Sequence, residues 1–410
     1  MIRWITDRLG TGAYTRVYGS TAATLVDVRD LLDRLGNAEH LLKLKVDEVA
    51  GHLRLGRTVV VCCDYGMSRS NAVAAGALSL VEGIDFQTAL GRVRDRTGEH
   101  SINIDVIAAV RQVIQPGTAR GATAGKVLVT GGSGFLGIGL AATDTPGSLL
   151  MPSREQLDVR RSAADLDDFI VHHGVCKVVH LAAPRIYSTN EALGDILVML
   201  KNILDVCLRH SLPLVTLSSW TVYSGHKHGP ILADEKLALL PDGSYGHARA
   251  LAEDLINRFR RGHRLDCTLL RSSPILGYGN HQPRFIYRFI DLARRGDPIV
   301  THVYKNGEPH LDLIWQEDVV GALQAAIKGS HSGDFNLGSG VGVSTRQVAE
   351  FIKHELASSS PLETVAMADD APNVVMDSGQ AAKVLGFRSL VGWQEGVRRV
   401  IDETLRQVQQ

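Results

Sequence analysis

Residues 126–137 read KVLVTGGSGFLG, and this stretch decides the fold of most of the chain. A short apolar run, Lys126 to Thr130, reads as a buried strand. It ends in a glycine series, Gly131-x-x-Gly134-x-x-Gly137, that opens a helical pattern. The first glycine permits a tight turn, the second lets backbone approach a pyrophosphate, and the third lets helix and strand pack closely. Gly131, Gly134, Phe135, Leu136 and Gly137 are therefore candidate cofactor-binding residues.

Working outward, the same alternation continues. The runs KVVHLAA, LPLVTLSS and CTLLRSSPI read as buried parallel strands with amphipathic helices between them. HLAAP (180–184), LSSWTVYS (217–224) and SYGHARALAEDL (244–255) follow at later strand ends. With the tail segments LLRSSPILGYG, LDLIWQEDVVGALQAAI, FNLGSGVGVSTRQVAEFI and SGQAAKVLGF, this series resembles the extended short-chain dehydrogenase/reductase family, the NAD(P)-dependent sugar-nucleotide epimerases and reductases. The resemblance covers residues 126–410. It implies an α/β, Rossmann-type doubly wound parallel sheet with a small C-terminal substrate lobe. It also implies that Ala182, in HLAAP, lies at the cofactor.

By the same resemblance, Tyr245 donates or accepts the proton at the substrate hydroxyl or carbonyl. Ser219 hydrogen-bonds that oxygen and steadies developing charge. A cation four residues after the tyrosine shares its helical face, lowers its pKa and reaches the nicotinamide ribose. The family has Lys there and this chain has Arg249, which keeps the charge but carries no proton. NAD-preferring members place an acid at the end of the second strand. The matching segment SLLMPSREQLD offers Pro152, Ser153 and Arg154 instead, and at that point resembles GDP-fucose synthase-type enzymes. The expected cofactor is thus NADP(H), with NAD as the alternative. Arg154 is placed on the 2′-phosphate and Asp158 at the adenine. Family dehydratases carry Asp-Glu directly after the catalytic hydroxyl residue. Trp220 and Thr221 stand there, so epimerisation, reduction or oxidation is expected rather than elimination. Leu311 occupies the place of a nucleotide-diphosphate-binding Arg, with Arg284, Arg288 or His310 as substitutes. A sugar phosphate or nucleoside monophosphate fits as well.

A second loop lies earlier, in VVVCCDYGMSRSNAV (59–73). Cys63 and Arg69 flank five residues between a strand pattern and a helical one. Backbone N–H groups and a helix N-terminus in such a loop form an anion cradle. Gly66 permits its turn, Arg69 can fork two phosphate oxygens, and the same field depresses the Cys63 thiol. The loop resembles that of dual-specificity, tyrosine-phosphatase-like cysteine phosphatases, over about the first 115 residues. The resemblance implies that Cys63 attacks phosphorus, Arg69 binds the phosphoryl oxygens and Ser70 helps the thiolate leave. The family's histidine before the nucleophile is replaced by Cys62. The general acid comes from DVRDLLDRLGNAEHLL, which offers Asp27, Asp30 and Asp33, with Asp33 preferred.

Composition agrees with a globular chain of two domains: 410 residues, 44% hydrophobic, with 44 Lys+Arg against 44 Asp+Glu. Zero net charge offers no case for nucleic acid or anionic membrane as partner. No run is long enough to span a bilayer, and no apolar signal core opens the chain. The five cysteines follow no metal or disulfide spacing, which points to a reducing cytoplasm. Cys176, Cys207 and Cys267 read as packing residues, VHHG (171–174) as a helix end rather than a metal site, and RRGHR (260–264) as a solvated helix terminus. The Gly-, Ala- and Thr-rich stretch at 116–125 reads as a linker, dividing a phosphatase-like domain (1–115) from the dehydrogenase-like one (126–410). Two phosphate-handling loops in one chain imply a bifunctional enzyme taking a phosphorylated sugar or nucleotide, expected as a homodimer. The competing readings are an NADP(H)-sensing regulator with a phosphate-binding module, and a protein phosphatase controlled by the second domain.

Overall fold

A computed structural model describes residues 2–409 except 20–22, 116–124, 145–146, 162, 185–188 and 280–282. Of the expected linker 116–125, all but Gly125 lies outside the described residues. The chain forms two compact units. The first is 1–123 with two short later segments, 205–212 and 258–265, and the second is the remainder.

In the first unit, four strands lie in the order Arg3–Trp4, Leu9–Ala13, Val59–Cys63, Thr24–Asp27. The first pair is antiparallel and the others are parallel. Val59–Cys63 is central, so both of its faces are covered. That is why it reads as an unbroken apolar run with all five residues buried. The register sets Ala13 opposite Cys63 and Asp27 opposite Cys62. Helix Arg69–Glu82 follows the loop and is built from small residues (NAVAAGALSL). It is buried nearly all round, and a Cβ on Gly76 would come within 2.7 Å of Val110. The sequence pattern does not announce the strand pair Arg3–Trp4 and Leu9–Ala13 or the Asn103-capped helix Ile104–Ile114. The helix end at 260–264 is not wholly solvated, as expected above. The His263 side chain is 2% exposed, with Nε2 3.0 Å from Asp105 Oδ1.

The second unit holds a six-stranded parallel sheet in the order Gly333–Leu337, Cys267–Ser272, Leu214–Ser219, Val175–His180, Lys126–Thr130, Leu149–Leu150. The strand order reverses beside Lys126–Thr130, which makes its carboxyl end the switch point where such sheets bind ligands. A second sheet joins Gly342–Ser344, His310–Asp312, Val374–Met376 and Ile231–Ala233. The substrate lobe is therefore not purely C-terminal, because Ile231–Ala233 comes from the middle of the chain. Asp312 is buried in this lobe and accepts from the backbone N–H groups of Ser339 (2.7 Å), Gly340 (3.3 Å) and Met376 (3.0 Å). Such knitting explains a charged residue in the otherwise apolar LDLIW.

Candidate functional site

The glycine series forms a tight strand–loop–helix turn. Gly131 has φ +77°, and a Cβ there would lie 2.6 Å from the Ala182 amide nitrogen. Ala182 thus reaches the loop through its backbone. A Cβ on Gly137 would lie 2.5 Å from the carbonyl oxygens of Gly131 and Gly132, so only glycine lets helix Phe135–Ala141 approach the strand. Gly134 caps that helix, and its N–H donates to Gly131 O at 2.9 Å. Phe135 lies against Gly277, and its carbonyl accepts from Gln316 Nε2 at 2.7 Å. Leu136 packs on the hydrophobic core. Both residues anchor the loop through side chain or carbonyl, which spacing alone does not reveal.

A Cβ on Gly132 would touch Met151 at 2.7 Å, so the end of the second strand lies beside the cradle. Pro152, Ser153 and Arg154 continue from there. The Arg154 side chain is 66% exposed, and its only ion pair among the described residues is a 3.4 Å contact to Asp158. Asp158 is 7% exposed and gripped by Arg160 through Nε (3.0 Å) and Nη2 (2.7 Å). This ion pair anchors the segment. The Ser153 hydroxyl holds the neighbouring Glu155 carboxyl below the usual carboxylate range.

Ser219 ends its strand and caps the turn Trp220–Tyr223, its Oγ accepting from Thr221 N at 3.3 Å. Tyr245 opens helix Gly243–His263. One turn on, Arg249 Nε donates to the Tyr245 hydroxyl oxygen at 2.9 Å and Nη1 to Leu217 O at 3.2 Å. Arg249 therefore ties Tyr245 to the strand that carries Ser219. Behind it, burial and the Arg249 charge push His180 down to about 3, so its ring is neutral and pairs with Thr130 Oγ1 at 2.8 Å.

Beneath Ser219 lies a network absent from the sequence reading. Ser218 Oγ donates to Glu253 Oε1 at 2.5 Å. Glu253 takes the Arg271 fork, and Arg271 also meets Asp334 (2.6 Å) and the Tyr223 hydroxyl (2.9 Å). Two signals were present: Glu253 follows Arg249 by one turn, and an arginine inside a buried strand needs a partner. Of the candidate pyrophosphate ligands, Arg284 and Arg288 are exposed, and His310 is half-buried with Nδ1 2.9 Å from Glu308 O.

In the first unit, the residues from Cys63 to Arg69 fold back over the sheet. Gly66 has φ +71°, and a Cβ there would collide with Gly12 backbone at 2.3 Å. Cys63 Sγ accepts from Gly66 N at 3.3 Å and lies 3.4 Å from Ser70 Oγ. Burial alone would raise the Cys63 thiol. Hydrogen bonds from the Ser70 hydroxyl and from the Ser70, Gly66 and Met67 amides outweigh it and hold the thiol below its ordinary value. Cys62 points to the other face, where burial and then Asp27 push it up to about 12. Arg69 Nη1 donates to Leu31 O (2.9 Å) and Arg29 O (3.2 Å), and Nη2 pairs with Asp64. Of the three candidate acids, Asp27 is clamped by Arg29 and Asp30 by Lys45. Only Asp33 meets the loop, accepting from Ser68 Oγ at 2.5 Å.

The glycine loop lies at the switch point of the sheet, Ser219 ends another strand, and Tyr245 and Arg249 lie one turn apart on helix Gly243–His263, the layout of a dinucleotide-binding α/β fold. The chain belongs to the NAD dependent epimerase/dehydratase family, whose model matches residues 127–338. It is 23% identical over 312 residues to the dTDP-4-dehydro-6-deoxyglucose reductase of Escherichia coli, covering 67% of this chain and 96% of that protein. It is 25% identical over 177 residues to the dTDP-D-glucose 4,6-dehydratase of Bos taurus, covering 41% of this chain and 49% of that one. In solved structures, the UDP-N-acetylglucosamine 4-epimerase of Bacillus cereus matches with TM-score 0.56 at 24% identity, over 69% of this chain and 96% of that chain. MoeE5 in complex with UDP-glucuronic acid and NAD matches with TM-score 0.57 at 25% identity, over 69% of this chain and all of that one. Among the described residues no helix is long and apolar enough to cross a membrane.

Proposed function

We propose that the second unit is an NADP(H)-dependent reductase, dehydrogenase or epimerase of a phosphorylated sugar or nucleotide, and that the first hydrolyses a phosphate monoester. The observation that carries the first claim is the 2.9 Å hydrogen bond from Arg249 Nε to the Tyr245 hydroxyl. A donor on that oxygen fixes the orientation of the hydroxyl, leaving its own proton to pass to or from a substrate oxygen. Ser219 holds that oxygen in place. The glycine cradle and Ala182 fit a dinucleotide pyrophosphate, and the exposed Arg154 fits a 2′-phosphate. When bound, the cofactor supplies or accepts a hydride. Trp220 and Thr221, where a dehydratase carries Asp and Glu, argue against elimination. The named substrates of the relatives, dTDP- and UDP-sugars, support a sugar nucleotide as the substrate class.

For the first unit, the supporting observation is the opposite fate of two adjacent thiols, with only Cys63 held below its ordinary value. The Cys63 thiolate attacks phosphorus, forming S–P and breaking the P–O bond to the leaving alcohol, which takes its proton from Asp33. Water then cleaves S–P, with Asp33 removing the water proton and the Ser70 hydroxyl stabilising the departing thiolate. The test is release of phosphate from an aryl phosphate. Cys63→Ser should lower the rate by at least ~10³-fold. A rate unchanged by that substitution would dismiss the phosphatase, leaving the second unit's activity to be judged by absorbance at 340 nm.

A further inference from the structure

We infer that Asp64 is a built-in competitor for the phosphate-binding edge of Arg69, which weakens the first unit's hold on a phosphoryl oxyanion; this rests on the phosphatase reading above. A guanidinium offers two edges, and an oxyanion is gripped best by Nε and Nη2 together. In Arg69 the other nitrogen, Nη1, is fixed to the Leu31 and Arg29 carbonyls, so the Nε/Nη2 edge is the one turned to the loop. On that edge Nε is buried without a hydrogen-bond partner among the described residues, while Nη2 is already paired with the Asp64 carboxylate. The Asp64 side chain is 50% exposed against 11% for Arg69, so the carboxylate comes from the solvent side and can swing away.

A phosphoryl group that takes Nε and Nη2 must therefore displace Asp64. It must then sit next to the released carboxylate, a like charge at short range. The repulsion grows with the charge of the incoming oxyanion. The neighbouring cations are already paired: Arg29 with Asp27, and Arg3, whose Nη2 donates to the Gly66 carbonyl at 2.5 Å, with Glu99. The loop thus gives up affinity for any phosphoryl oxyanion, monoester and inorganic phosphate alike, since both are largely dianionic near pH 7.5.

The test is binding of inorganic phosphate to the full chain carrying Cys63→Ser, by calorimetry near pH 7.5. Adding Asp64→Asn, which keeps the shape and removes the charge, should tighten phosphate binding by about tenfold. Asp64→Ser should do the same. Asp30→Asn, which removes a neighbouring charge already paired with Lys45, should leave the affinity within about twofold. In the chain with Cys63 intact, Asp64→Asn should lower both the inhibition constant of phosphate and KM for the aryl ester. Equal phosphate affinity with and without Asp64→Asn would overturn the inference and leave the anion cradle standing. An equal gain from Asp30→Asn would also overturn it, as a general field effect. Absence of phosphate binding in every variant would overturn the cradle reading itself.

Discussion

Cys62 and Cys63 are neighbours in sequence and opposites in chemistry. Strand alternation turns one thiol into the apolar layer beside Val17 and Val60, and the other toward a ring of N–H donors. At pH 7 iodoacetamide should label Cys63 and spare Cys62, since the thiolate is the reacting form. Peptide mass mapping would show this, and equal labelling of both would contradict it. Tyr245 and Arg249 belong to the same scale. Tyr245→Phe removes the proton with little volume, so turnover should fall by at least ~10²-fold while cofactor binding persists. Arg249→Lys should retain most activity, whereas Arg249→Ala should lose both turnover and ribose affinity. Undiminished 340 nm turnover in Tyr245→Phe would exclude the tyrosine from the chemistry.

At the scale of elements, both candidate sites are strand–loop–helix units in which glycine marks a collision rather than flexibility. Gly131 and Gly134 differ in a testable way. Gly131 combines φ +77° with a Cβ position 2.6 Å from the Ala182 amide, so Gly131→Ala should cost about 2 kcal/mol or more in stability. Gly134 has φ −82° and its nearest obstruction is 3.1 Å away, so Gly134→Ala should fold nearly as well yet bind dinucleotide poorly. Thermal unfolding beside NADP+ titration would separate the two, and matched losses in both assays would argue against this division. On the adjacent strand end, Arg154→Ala should cost ~1–3 kcal/mol of NADP+ affinity and leave NAD+ unaffected. Tighter wild-type binding of NAD+ than of NADP+ would refute the NADP(H) assignment.

At the scale of the whole molecule, the six-stranded sheet hides titratable groups whose cost appears as pH-dependent stability. His180 is held at about 3 in the folded chain against 6.5 for an ordinary histidine. Between those values the unfolded state binds the extra proton. Stability from this group is therefore complete above pH 6.5 and lost as pH falls toward 3, by on the order of 4 kcal/mol. Denaturant unfolding between pH 7 and 4 should show this loss, and His180→Gln should flatten it. An unchanged slope in that variant would assign the acid sensitivity elsewhere. Arg271→Met should be severely destabilising by itself, about 3–5 kcal/mol, because it strands Glu253 in the core.

What the sequence alone determined are the features confined to one excursion of backbone: the glycine series with its flanking strand and helix, Cys63 to Arg69, and the Tyr245–Arg249 turn. In each, spacing fixes geometry because the residues are joined by a few bonds. That these strands run parallel also followed from the alternation of apolar runs and helices, though their order did not. Tertiary structure decided what depends on long returns of the chain. Asp33, 35 residues from Ser68, is singled out from Asp27 and Asp30 only by how its loop folds back. Ile231–Ala233 leaves its neighbours to complete the second lobe's sheet, and Arg271 finds Asp334 from 63 residues away. Such pairings are chosen by burial and by the need to satisfy every buried charge, and neither is written in local spacing.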